Sequence, residues 1–263
     1  MKRVTAATLV LVATAGAGFL LLPVLVLLEE GLGTPRPGGP GDPALPQALA
    51  LSLVTTCISM LLVLAFGTPL AWVLARWRFP LRRLLSVLLQ LPLVLPPAVA
   101  GLALLLALGR RGALGNVLAS LNVEIAFTAS AVVLTQVFVA APFFLRAAQA
   151  GFANVPADIE AAARVDGATG LALFLNVSLP LSLRALGAGL TLAWARALGE
   201  FGATILFAGN LQGRTQTMPL LVYNALERNL DTAIQTGLIL VFLALGVLLL
   251  ANLLRAPDSY GYL

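Results

Sequence analysis

The sequence predicts an all-α integral membrane protein with about six transmembrane helices and one long polar cytoplasmic loop between the fourth and the fifth. Three observations carry that reading. Of 263 residues, 60% are hydrophobic and only 10% charged, whereas ordinary globular chains are roughly 25% charged. The mean hydropathy of +0.98 describes more apolar side chain than one or two soluble cores can hide. The apolar residues also fall into uncharged runs, and since a helix needs about 20 of them to cross the hydrocarbon core, the chain is long enough for about six crossings.

The runs follow in order. Residues 4–28 form a first uncharged run directly after Lys2 and Arg3. It is longer than the roughly 7–15 apolar residues of a cleaved signal, which predicts a retained span. Residues 29–46 are crowded with proline and glycine and predict an external loop. The second run, 44–75, ends in Arg76, Trp77, Arg78, Phe79, Pro80, Leu81, Arg82 and Arg83, a turn at the membrane surface. The third, 84–109, is interrupted by Pro92, Pro96 and Pro97, so its helix is expected to break or bend. A short glycine-containing loop, 109–122, precedes the fourth span at 125–145. Residues 151–184 carry Asp158, Glu160, Arg164, Asp166 and Arg184 and are too polar in their first half to cross. The fifth span is placed at 185–208 and the sixth at 232–254, with an amphipathic loop between them. The whole chain is expected to be one transmembrane domain, with residues 1–46 as the first span and external loop and 47–254 as its core.

Alternation from Lys2 and Arg3 puts ten basic residues on the side of the termini and five on the other. The excess marks the cytoplasmic side, so both termini are expected there.

Composition excludes several functions. With no histidine, one cysteine (Cys57) and one lysine (Lys2), the chain can form neither an internal disulfide nor a Cys/His metal site. No metal and no cofactor is expected. A phosphate-cradling loop needs a lysine after glycine-spaced residues, and Lys2 has no such run before it. The chain cannot by itself be a P-loop ATPase. The net charge of +5 comes from arginines scattered singly or in pairs, without the dense basic face that nucleic acid requires. No catalytic residue is expected, because neither a Ser-Lys arrangement nor paired intramembrane aspartates are visible. A self-sufficient channel or ion-coupled carrier would need acidic residues in several spans or inverted repeats; only the fifth span offers ionisable groups.

Within the long loop, Asp158 is placed to cap a first short helix, and Gly167 supplies the left-handed residue that ends it. The run Glu160, Ala161, Ala162, Ala163, Arg164, Val165, Asp166, Gly167, followed by Leu179 and Pro180, resembles the cytoplasmic "EAA" loop of the permease subunits of binding-protein-dependent ABC importers. Ala161 stands where that pattern has its glutamate, one place after Glu160. Leu95-Pro96-Pro97-Ala98-Val99-Ala100-Gly101-Leu102, the block from Arg196 through Glu200 to Asn210, and the block from Gly213 to Pro219 are similar to the molybdate/tungstate branch. The sulfate permeases are more distant. The resemblance implies a homodimer in the prokaryotic inner membrane with a pathway on its axis, separate ATP-binding subunits beneath, and a substrate-binding protein docking outside. It makes the loop a coupling helix, with Glu160, Ala162, Ala163, Asp166, Gly167 and Pro180 as its candidate residues.

Arg196 lies about 11 residues into the expected fifth span, hence ~17 Å deep. Glu200 follows at i+4 and Thr204 one turn later, on the same helical face. A lone charge at the bilayer centre costs about 2.5–3.5 kcal/mol or more, so the two are expected to pair. Two roles are open: lining or locking the pathway, or fixing helix packing. Pro96 and Pro97 are equally open to a gate or a simple kink. Gly67, Ala71 and Ala75 form a small-residue stripe suited to close helix contact, within or between subunits.

Overall fold

The computed structural model describes residues 2–33 and 43–253, with side chains over 8–33 and 43–249. Among them every regular element is helical. Five helices are long and apolar enough to cross a membrane, and a sixth crossing is supplied if one bent helix pair counts as a single span.

Helix α1 (Lys2–Gly33) runs through Glu29 and Glu30, five residues beyond its expected end. Both glutamates are exposed, and glutamate is a good helix former, so leaving the apolar run does not end the helix. Residues 34–42 of the expected loop lie outside the described residues. Helix α2 (Ala44–Arg76) covers the second run. Arg82 Nε and Nη2 donate to the carbonyls of Leu74 and Ala75, at 2.6 and 3.3 Å, satisfying acceptors that a helix end leaves open.

The third span is broken. Helix α3 (Arg82–Leu88) and a 3₁₀ turn (Leu91–Leu93) meet helix α4 (Pro97–Leu108) at a bend of 113°. Pro96 is extended and Pro97 starts α4, where its missing N–H costs nothing. The loop that follows contains one short helix, α5 (Gly115–Ser120). Helix α6 (Ala129–Ala153) begins four residues later and ends eight residues later than expected; its buried Phe152 gives the extension something to pack.

Helix α7 (Ala157–Val165) occupies the loop. The next span begins at Gly170 rather than near residue 185: α8 (Gly170–Leu173), a π-helical turn (Phe174–Ser178) and α9 (Leu179–Leu198) form one span of 29 residues. The Leu179 N–H bonds the Phe174 carbonyl, five residues back. That widened turn shifts the ladder before Pro180, which has no N–H to give, so the helix continues through the proline. The same span stops at Leu198, short of residue 208, and resumes as α10 (Gly202–Phe207). Helices α11 (Met218–Leu226) and α12 (Leu230–Leu253) complete the chain.

The core lies where α2, α6 and α9 meet, around Phe144 and Phe152. Between membrane helices, close van der Waals packing replaces the hydrophobic effect as the main attraction, and it needs small residues. A Cβ on Gly67 would lie 2.9 Å from the Phe144 ring, and one on Gly189 2.8 Å from Ala147. Ala71 is fully buried and Ala75 packs on the same cluster. The stripe therefore serves packing inside one chain.

Candidate functional site

The two sequence blocks singled out around Pro96 and Glu200 meet in space. Helices α4 and α10 pack against each other, and glycines set their distance. A Cβ on Gly101 would lie 2.7 Å from the Ala203 carbonyl oxygen and 2.9 Å from its Cα; one on Gly202 would lie 2.6 Å from Pro97 Cβ. Each helix is the second arm of a broken one, so two interruptions of regular backbone face each other. Non-helical backbone at membrane depth is tolerated where it is buried in protein or lines a wet cavity.

Arg196 and Glu200 are paired, Nη1 to Oε2 at 2.6 Å. The geometry differs from two residues on one continuous helix. Arg196 sits in the last turn of α9, 26 residues from Gly170 where the span begins, or ~39 Å along the axis. It lies at the far end of the helix, not midway. Glu200 lies in the break, 2% exposed, and its Oε1 accepts the Ala203 N–H at 2.7 Å. The carboxylate thus joins two arms: it neutralises the arginine ending α9 and caps the first turn of α10. Thr204 belongs to α10 rather than to α9; it is 1% exposed, and its hydroxyl is buried without a hydrogen-bond partner.

A second polar group escaped the sequence reading. Ser52, Thr55, Thr56 and Ser59 are all buried on α2, opposite Thr135 and Gln136 of α6. Ser59 Oγ donates to Gln136 Oε1 at 2.9 Å, and Gln136 Nε2 reaches Thr56 at 3.4 Å. Ser52 Oγ accepts the Met218 N–H at 2.8 Å, and Gln216 Nε2 donates to Asn210 Oδ1 at 2.9 Å. The signal was present: positions 52, 55, 56 and 59 are i, i+3, i+4 and i+7, one face of a helix.

In the loop, α7 turns Asp158, Ile159, Ala161, Ala162 and Val165 outward. Pro156, not Asp158, stands at its start, and no side chain caps it. Gly167 closes it with φ +91°; the Ala168 N–H bonds the Ala163 carbonyl at 2.8 Å, the six-to-one bond of a Schellman end. Asp166 and Pro180 are exposed and Ala163 half-buried. Glu160 is the exception among the loop's candidates. It is 3% exposed and points into the protein, toward Arg76 and Ser178.

Residues 67–256 match the family of binding-protein-dependent transport system inner membrane components. The chain is 42% identical over 238 residues to the molybdenum transport system permease protein ModB of Mycobacterium tuberculosis, covering 90% of each. It is 36% identical over 217 residues to a probable sulfate transport system permease protein of Nephroselmis olivacea, covering 82% of this chain and 76% of that one. Among solved structures, a bacterial alginate ABC transporter in complex with an alginate pentasaccharide-bound periplasmic protein matches with a TM-score of 0.74 at 17% identity, over 95% of this chain and 94% of that one. At that identity the likeness is one of fold.

Proposed function

Since the chain belongs to the family of binding-protein-dependent transport system inner membrane components, we propose that it forms the membrane pathway of an ABC importer for an oxyanion, molybdate or tungstate. The similarity to ModB over 90% of both chains carries the choice of oxyanion. The sulfate permease likeness, lower in identity and coverage, supports sulfate as the second reading. In the proposed assembly two copies of this chain enclose the pathway in the inner membrane, a separate ATP-binding subunit sits under each α7, and a loaded binding protein docks on the opposite face.

The physical case for coupling rests on α7. It is a short helix between two long spans, with exposed Ile159 and Val165 offering apolar contact to a partner. A rigid shift of α7 would tilt α6 and the α8–α9 span together, since packed helices move between discrete arrangements. Where α4 meets α10, the broken backbones of both arms are suited to open and close. Arg196 has its charge matched by Glu200, so the pair is assigned to locking this region, not to holding a dianion.

The test is reconstitution in liposomes with the cognate ATPase and binding protein, measuring uptake of labelled molybdate, with tungstate and sulfate as competitors on the binding protein. ATP-dependent uptake is expected from the assembled system and none from this chain alone. Uptake by the chain without an ATPase would overturn the assignment, and competition by sulfate ahead of molybdate would favour the second reading.

A further inference from the structure

Glu160 is a buried carboxylate that docking to a partner leaves unused. Its Oε1 lies 3.0 Å from Arg76 Nη2 and accepts the Ser178 hydroxyl at 2.9 Å; its Oε2 lies 3.6 Å from Arg164 Nη2. Arg76 is the last residue of α2, and the same Nη2 donates to the Val155 carbonyl, just past α6, at 2.8 Å. Ser178 belongs to the π-helical turn, a local widening often found at functional positions. One helical turn before Arg76, Trp72 packs at a tilt against Phe174 of that turn with ring centroids 5.1 Å apart, and Phe174 meets Phe152 of α6 at 6.1 Å. The carboxylate thus ties α7 to the end of α2 and to the π-helical turn, and Arg76 carries the link on to the segment just past α6.

From this we propose that Glu160 is a positioning residue that bolts α7 to the end of α2 through Arg76, so that displacement of α7 drives three spans rather than the two it joins in sequence. The proposal rests on the reading of α7 as the element pushed by a partner ATPase. By sequence alone α7 is tied to α6 and α8. A lever held only by those non-helical joins, residues 154–156 and 166–169, would lose part of its stroke in them. The buried ion pair removes that slack, because stretching it exposes an unpaired charge in a low-dielectric site. The contrast with Arg110 and Glu124 is informative: that pair is exposed on both sides and is the kind that contributes little.

The experiment uses the complete transporter in liposomes, comparing Glu160→Ala and Arg76→Gln with a charge-reversed double variant, Arg76→Glu with Glu160→Arg. Three readouts are taken: co-purification of the ATPase, ATP turnover, and oxyanion taken up per ATP hydrolysed. Each single variant is expected to keep the ATPase bound and to lower uptake per ATP roughly tenfold, within the range of ordinary coupling between sites; the double variant is expected to recover most of it. A merely structural staple would lower the amount of complex and leave uptake per ATP unchanged, and that result overturns the proposal. If the single variants fail to accumulate, Glu160→Gln, which keeps an oxygen for Ser178 and removes the charge that pairs with Arg76, decides the matter: reduced uptake per ATP supports the bolt, and a wild-type ratio sinks it. Failure of the functional reading itself shows earlier and separately, as absence of ATP-dependent uptake by the wild-type assembly.

Discussion

Glu200 shows how one side chain can answer two needs at a helix break, and the two are separable by substitution. Its charge answers Arg196 at 2.6 Å; its other oxygen answers the Ala203 N–H at 2.7 Å. Arg196→Leu would leave a nearly fully buried carboxylate without a counter-charge, a change that typically costs ~3–5 kcal/mol. A cap alone is worth ~0.5–2 kcal/mol. Glutamine in place of Glu200 keeps an oxygen for the cap and needs no cation. Arg196→Leu is therefore expected to lower the yield of folded permease in detergent strongly, and Arg196→Leu with Glu200→Gln to restore most of it. The double replacement by leucine should recover less, since it also loses the cap. Size-exclusion profiles and melting temperatures of the purified variants check this ranking; equal recovery by the two double variants would show that the cap contributes nothing. Transport by the recovered variant then separates the two roles left open by the sequence, with full uptake favouring packing and lost uptake favouring a lock.

At the scale of elements, the contact between α4 and α10 depends on glycine at two positions. A Cβ on Gly101 would meet backbone atoms of Ala203 at 2.7 and 2.9 Å, and backbone cannot rotate away as a side chain can. Overpacking of this kind costs typically ~1–3 kcal/mol. Gly101→Ala is expected to lower the melting temperature and Gly101→Val to abolish uptake while the ATPase still co-purifies, because α7 lies on other elements. Normal uptake by Gly101→Val would show that α4 and α10 need not be in close register. The elements themselves were largely legible: every apolar run became a helix, and the three prolines did break the third span. What misled the reading was the polarity of residues 151–184, which assigned the stretch through Arg184 to the loop although the span begins at Gly170; the π turn at 174–178 inside it has no sequence signature of its own. The opposite error occurred at Gly199, Glu200 and Phe201, where i+4 spacing implied continuity and the side chains pair across a break. Glu160 was legible as important but not in direction: polarity places it on the loop, and only tertiary structure shows that Arg76, 84 positions earlier in the sequence, turns it inward.

For the whole molecule the deciding question is whether the bent α3–α4 pair crosses the membrane, since five crossings would put the termini on opposite sides and six on the same side. Contacts at the two ends of α6 answer it. Arg76, at the start of the turn into α3, is bonded to Val155 and Glu160, just beyond the C-terminal end of α6. Arg110, just past α4, pairs with Glu124, five residues before α6 begins at Ala129. Those ends are 25 residues apart, or ~37 Å along the helix, more than the ~30 Å hydrocarbon core. From these contacts the chain is predicted to change sides between residues 76 and 110, its helix turning through 113° on the way. Gln235 Nε2 donating to the Gly31 carbonyl at 3.0 Å sets the end of α1 beside the beginning of α12, so these two run in opposite directions. With Arg184 now inside the span from Gly170 and Arg196 at its far end, nine basic residues stand against six, and the side bearing Arg76, Arg78 and the termini is predicted to be cytoplasmic. In a Cys57→Ala background, single cysteines at Lys2, Arg78 and Arg255 should react with a membrane-impermeant maleimide only after the cells are permeabilised, whereas one at Arg111 should react in intact cells. Labelling of Arg78→Cys and Arg111→Cys from the same side would make the bent pair a re-entrant hairpin and remove one crossing; reversal of the whole pattern would leave six crossings and invert the protein, placing α7 where no ATPase could reach it.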